Sequence, residues 1–169
     1  MKQIDIQKLT ESYETRILKE DDIDDILRIL RGNPLFYEYT TARAEREAVR
    51  EDMQALPPGR TMADKYYFGF FENGRLIAVM DLIDGYPDEE TAFIGFFMMA
   101  AEKQGRGAGS RLIQDVLKEL KRSGFGKARL CINKGNPQSS HFWYKNGFVP
   151  RKEVTRGEET VILAECILK

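Results

Sequence analysis

Cysteine is scarce in this sequence: two among 169 residues, Cys131 and Cys166. Two thiols set no disulfide framework, so a reduced, cytoplasmic setting is the default expectation. An excess of charge of one sign is missing as well. Lys and Arg number 26 against 27 Asp and Glu, a net charge of −1. That balance argues against nucleic acid or a membrane surface held by bulk charge. No apolar run is long enough to span a bilayer. The opening residues, MKQIDIQKLTESYETR, lack the apolar core of a signal peptide. There is no repeat at solenoid periods and no low-complexity linker. His141 is the only histidine, and no metal site is expected.

The composition that remains, 42% hydrophobic and 31% charged, is an ordinary soluble balance. The length suits one domain over residues 1–169, with 1–13 as an N-terminal extension. ETRILK reads as a first strand. EDDIDDILRILRG is an amphipathic helix with Ile23, Ile26, Leu27 and Leu30 on one stripe, an acidic first turn and a stop at Gly32. TTARAEREAVREDMQAL reads as a second, polar helix ended by Pro57-Pro58-Gly59. KYYFGFF and RLIAVMDLI flank Asn73-Gly74, a strong hairpin signal. TAFIGFFMM is apolar throughout, as a strand central in a sheet would be. SRLIQDVLKELKRSG is a helix, KARLCI a strand and NPQSSHFWYKNG a short helix. FVPRKEV and ETVILAECIL are two final strands. The order β-α-α-β-β-β-α-β-α-β-β implies an α/β fold, a mixed sheet with helices on both faces.

The chemistry begins at MMAAEKQGRGAGSRLI, Met98 to Ile113. A buried strand runs into Gln104-Gly105-Arg106-Gly107-Ala108-Gly109 and then a helix. Glycines let backbone approach a ligand closely, and the first-turn amides of the helix point where its dipole is positive. A pyrophosphate fits such a place, with Ser110 as a further donor and Gln104 or Arg106 closing the mouth. The same loop also serves as a tight strand-to-helix turn with no ligand. A Walker loop needs lysine after its last glycine, and here Ser110-Arg111 follow Gly109. A dinucleotide fingerprint from Gly105 needs glycine at 110 and an early parallel βαβ unit. Both fail.

With Gln104, Gly107 and Gly109 in place, the loop resembles the Q/R-x-x-G-x-G/A pattern of the GNAT acyltransferase superfamily. NPQSSHFWYKNGF is similar to a second block of that family, with Asn136, Ser139, Lys145, Gly147 and Phe148 in register. The element order resembles the fold from about Thr15 to the C-terminus. The resemblance implies an N-acetyltransferase that uses acetyl-CoA, without a metal, on a primary amine of a small molecule or peptide, by direct attack in a ternary complex. It implies a central strand splayed from its neighbour, with the pantetheine arm bonded to backbone around Phe97, Met98 and Met99. The pyrophosphate would lie on Gln104, Gly105, Arg106, Gly107, Ala108, Gly109 and Ser110. Asn136 and Ser139 would lie near the pantetheine, Asn136 also being a good helix cap before Pro137. A homodimer is left open, and so is a CoA-binding sensor or interaction module with little catalysis.

The reacting groups are less defined. Relatives use as acid a tyrosine four residues before the glycine of the Gly-Phe pair. Counting from Gly147 reaches Trp143, whose indole is no useful proton source. Tyr144 lies one residue on, turned by ~100° around the helix. Trp143 is alternatively a packing residue and Tyr144 a partly exposed one. Asp81, in LIAVMDLI, shares a strand face with Ile77, Val79 and Ile83. An isolated carboxylate in an apolar row needs a partner or a function, and it is a candidate to bind the amine or steer a water. Glu165 and His141 are further candidates, and Cys131 reads as a small core residue. Phe36, Tyr37 and Tyr39 either line an acceptor pocket, with Glu38 attracting an amine, or pack helix against sheet.

Overall fold

Alternation of apolar and polar residues at a period of two, broken by helical stripes, produces a layered molecule. The computed structural model describes residues 3–168. Residues 1, 2 and 169, which belong to the expected domain, lie outside the described residues. Among the described residues one sheet has seven strands: β1 (Glu14–Ile17), β2 (Lys65–Glu72), β3 (Arg75–Asp84), β4 (Thr91–Met99), β5 (Lys127–Asn133), β6 (Val149–Arg156) and β7 (Glu159–Ile167). Their spatial order is β1-β2-β3-β4-β5-β7-β6. Neighbours are antiparallel except β4 and β5, which run parallel. The apolar strand β4 is therefore the middle one. The helices are α1 (Ile23–Arg31), α2 (Arg46–Gln54), α3 (Ala108–Arg122) and α4 (Pro137–Lys145), in the order expected from the sequence.

Successive strand residues face opposite sides, so β2 feeds two cores. Tyr67 packs with Ile23, Ile26, Leu27, Leu30 and Val49 of α1 and α2. Phe68 and Phe70 pack with Leu112, Ile113, Val116 and Leu117 of α3 and with Trp143 of α4. The N-terminal extension joins this second core, since Ile4, Ile6 and Leu9 are buried in it.

Two boundaries differ from expectation. The second helix starts at Arg46 rather than Thr40. The Thr40 hydroxyl and the Thr41 amide donate instead to the Glu159 carboxylate at the start of β7. That tie commits the segment to bridging the α1–α2 connection and the β6–β7 hairpin. The face of β3 also changes sides. Ile77, expected beside Asp81, packs in the α3 core, while Leu76 joins Val79 on the α1 side. Ile77 is the extra residue where the register with β2 steps from Phe70–Ala78 to Phe71–Leu76, and a bulge reverses the alternation beyond it.

Candidate functional site

The parallel pairing of β4 with β5 stops early. It covers Thr91–Ile94 against Lys127–Leu130, while β4 stays paired with β3 as far as Met99. β5 turns its far half to β7 instead, through Cys131, Ile132 and Asn133. A gap therefore opens beside the second half of β4. The Ala100 amide donates to Ile77, so by strand alternation Met98 also faces β3, and Phe97 and Met99 direct their backbone groups into the gap. The Met99 carbonyl is already taken by Gln104 Nε2 at 2.8 Å and Asn33 Nδ2 at 3.1 Å.

A cavity of about 340 Å³ occupies the gap. Phe97, Met98 and Met99 form one wall, Gln104, Gly105, Gly107, Gly109 and Ser110 the mouth, and Gln138, Ser139, His141, Phe142, Trp143 and Lys145 the opposite wall. Asn33 and Phe36 close it on the α1 side. Two segments far apart in sequence thus meet on one space, as the two motif blocks imply.

At the mouth, Gly107 is the N-cap of α3 with φ +77°, a left-handed conformation that favours glycine. It turns the chain so that the free amides of the first turn of α3 open onto the cavity. Ser110 accepts from Asn146 Nδ2 at 3.1 Å. The Gln104 side chain does not close the mouth. It turns inward, with Nε2 2.6 Å from Asn33 Oδ1, and ties α1 to the end of β4. Arg106 is exposed and, like Ala108, is not among the residues lining the cavity.

Asn136 is fully buried and caps α4, accepting from the Ser139 amide at 3.2 Å. Its Nδ2 is buried with no partner among the described residues, and Asn136 itself is not among the residues lining the cavity. Trp143 is buried at the cavity wall, edge-on to Phe97, Phe142 and Phe148 with centroids 6.1, 5.0 and 5.2 Å away. Tyr144 lies on the exposed side of α4 and does not line the cavity.

Asp81 is paired rather than isolated. Its Oδ2 lies 2.8 Å from Lys65 Nζ, with the lysine side chain 1% exposed and the aspartate 14%. Burial pushes the Asp81 carboxyl up, and the neighbouring Lys65 offsets only part of it. Glu165 is held by Arg129, Lys127 and Arg151 at 3.0, 3.3 and 3.4 Å. Burial raises it, but Lys127 and Arg129 outweigh burial and keep it below the usual carboxylate range. Cys131 is half-buried, its thiol pushed up by burial. Among the described residues no cluster of three or more His, Cys, Asp or Glu is placed to hold a metal, and no helix is long and apolar enough to cross a membrane.

Asn33, Phe142, Asn146 and Lys65 were missed from sequence. Asn33 read only as chain after a helix stop, and Lys65 only as the start of a strand. The signal for Asn146 was its position beside the Gly-Phe pair.

The family model described as Acetyltransferase (GNAT) family matches residues 25–148. No curated protein matches the chain. Solved structures do. PaiA N-acetyltransferase from Thermoplasma acidophilum, in complex with coenzyme A, is 20% identical with a TM-score of 0.64, over 92% of this chain and 99% of that one. A protein of the GNAT family from Desulfovibrio desulfuricans is 14% identical with a TM-score of 0.72, over 94% and 99%. An acetyltransferase from Thermus thermophilus is 20% identical with a TM-score of 0.69, over 91% and 96%. At such identities the likeness is one of fold.

Proposed function

The chain belongs to the acetyltransferase (GNAT) family, and on that premise we propose that it moves an acetyl group from acetyl-CoA to a primary amine of a small molecule or peptide, by direct attack in a ternary complex. The reading takes residues 1–169 as one catalytic domain. The observation that carries it is the free edge of β4, with Phe97 and Met99 backbone aimed into a cavity that ends at the first turn of α3. Pantetheine is an extended chain of two amides, and it suits an open strand edge as an added strand does. The unpartnered Asn136 Nδ2 supplies a donor for one of its carbonyls. The pyrophosphate suits the amides of Gly107 to Ser110, where the helix dipole favours negative charge.

The acceptor amine is mostly protonated at neutral pH and must lose a proton to attack. As nitrogen adds to the thioester carbon, charge develops on its oxygen, and an amide of the free β4 edge is the donor at hand. Trp143 packs as a wall of the acyl pocket and gives no proton. In this reading the departing sulfur takes its proton from the attacking nitrogen, so Tyr144 is not needed.

Calorimetric titration with CoA, together with thiol release from acetyl-CoA across a panel of amines and peptides, tests the proposal. Binding with turnover on at least one acceptor is expected, and no affinity for CoA would end it. Trp143 in the acid's place favours one second reading, a CoA-binding module with little catalysis. Binding without turnover on any acceptor would select that reading.

A further inference from the structure

Asp81 sits at the centre of β3, between Tyr67 of β2 and Phe96 of β4. One carboxylate oxygen is fixed: Oδ2 accepts from Lys65 Nζ, which also donates to the Ala55 carbonyl at 2.9 Å. The other, Oδ1, is buried with no partner among the described residues. An unpaired carboxylate oxygen away from water is costly unless something binds there.

The neighbouring backbone leaves room beside the carboxylate, on the side of Oδ2. Gly95 is an extra residue in β4, where the register steps from Asp81–Phe96 to Leu82–Ile94. A Cβ at Gly95 would come within 2.7 Å of Asp81 Oδ2, so the carboxylate occupies the volume a side chain there would fill. Gly95 is itself exposed. On the same sheet face Arg129 and Cys131 of β5 are only half-buried. Phe96 pairs with Asp81, and the next residue, Phe97, lines the acyl cavity. A half-held carboxylate therefore lies beside an exposed bulge; Asp81 does not itself line the cavity, but its strand partner Phe96 directly precedes the cavity-lining Phe97.

We propose that Asp81 Oδ1 is where the acceptor's ammonium docks and gives up its proton, and that Lys65 is the positioning residue that holds the carboxylate there. The inference rests on the acyl-transfer reading and adds its acceptor site. The ammonium gives one proton to Asp81. The free amine's lone pair then forms the N–C bond as the C–S bond breaks. The nitrogen's second proton passes to the sulfur, and Asp81 later returns its proton to water. The groups that act on Asp81 are Lys65 of β2 and Asp52 of α2, with Tyr67 of β2 beside it and, beyond Asp52, Tyr37 in the α1–α2 connection. Burial keeps both tyrosines neutral, Tyr37 being pushed up to about 12. Burial raises both the Asp81 and the Asp52 carboxyl; with both ionised, Lys65 leaves one negative charge for an ammonium to cancel. Phe96 and Phe36, edge-on at 5.9 Å, flank the approach and select a primary amine on an apolar or aromatic body.

Two readouts need no known substrate. Propylamine and benzylamine are titrated into the protein, with and without CoA, while backbone amide shifts are followed. Shifts at Gly95 and Phe96 are expected in the wild type and lost in Asp81→Asn, with CoA affinity unchanged. The Asp81 carboxyl carbon is titrated in the wild type, Lys65→Met and Lys65→Arg. Without the lysine its midpoint moves to higher pH, and arginine restores it. On any acceptor that turns over, Asp81→Asn lowers kcat/KM about 100-fold, and the acid limb of the Lys65→Met profile moves to higher pH. Amine shifts that persist in Asp81→Asn overturn the docking site. An Asp81 midpoint unmoved in Lys65→Met overturns the role of the lysine. If Lys65→Met does not fold, the amine shifts in the near-isosteric Asp81→Asn decide alone. Absence of CoA affinity in the wild type sinks the acyl-transfer reading instead, while amine docking stays separately readable.

Discussion

Asn146, the residue that ends α4, donates Nδ2 to the Ser110 hydroxyl on α3 at 3.1 Å. A hydroxyl that accepts there keeps its own proton for a different acceptor. In the acyl-CoA reading that acceptor is a phosphate oxygen. Gln114 Nε2 fixes the amide by donating to Asn146 Oδ1 at 3.1 Å. Asn146→Ala and Ser110→Ala should each weaken CoA binding by about tenfold, the worth of one hydrogen bond to a charged group. The double variant should lose little more than either single one. Pantetheine, which carries no phosphate, should bind all three alike. Calorimetry reads each case, and additive losses would sever the link between the two residues.

Gly107→Glu should abolish CoA binding. The positive φ at this N-cap strains any side chain by about 1–2 kcal/mol, and the new carboxylate repels phosphate at the α3 terminus. Thermal unfolding separates the two effects, since a folded variant with wild-type CoA affinity would remove the loop from the site.

Tyr144→Phe should leave kcat within about twofold, because the ring stands on the exposed side of α4. Trp143→Ala should instead destabilise the fold by about 3–5 kcal/mol, the usual range for a buried large aromatic. Denaturant unfolding measures the second. A tenfold drop in kcat for Tyr144→Phe would make its hydroxyl the acid after all.

Arg16 grips Asp22 through two hydrogen bonds of 2.8 and 2.9 Å, and that contact, with the Lys19 amide, holds the Asp22 carboxyl below the usual range. A depressed acid stabilises the fold above its unfolded pKa and loses that contribution as pH falls through the folded one. Asp22→Asn should therefore cost about 1 kcal/mol at pH 7, modest because Arg16 is half-exposed. The difference from wild type should vanish in strong acid. Urea unfolding across pH tests the sign, and a gap that widens in acid would contradict it.

Much of the proposed cofactor side was legible because its signals are local. The glycine loop, the helix it starts and the cap at Asn136 each follow from residues within a few positions of one another. Register on α4 separates Trp143 from Tyr144 by one helical step, and the structure lines the cavity with Trp143 and leaves Tyr144 exposed. Gln104 shows the limit: its place in the loop was readable, but not that its side chain leaves the mouth to bind Asn33, far away in sequence.

The proposed acceptor side was not legible for the same reason. Asp81 stood out as a charge in an apolar row, but its partner Lys65 lies on the neighbouring strand, and their pairing depends on the β2–β3 register. The second helix was read too long because the tie from Thr40 and Thr41 to Glu159 has no local trace. By itself the sequence determined the order of elements, the apolar centre at β4 and the glycine-rich turn into α3, since periodicity, turn chemistry and capping act over a few residues. Only the tertiary structure decided where β4 parts from β5, which backbone groups stay open and which carboxylate oxygen is left without a partner. Those outcomes depend on strand register and on contacts between segments tens of residues apart.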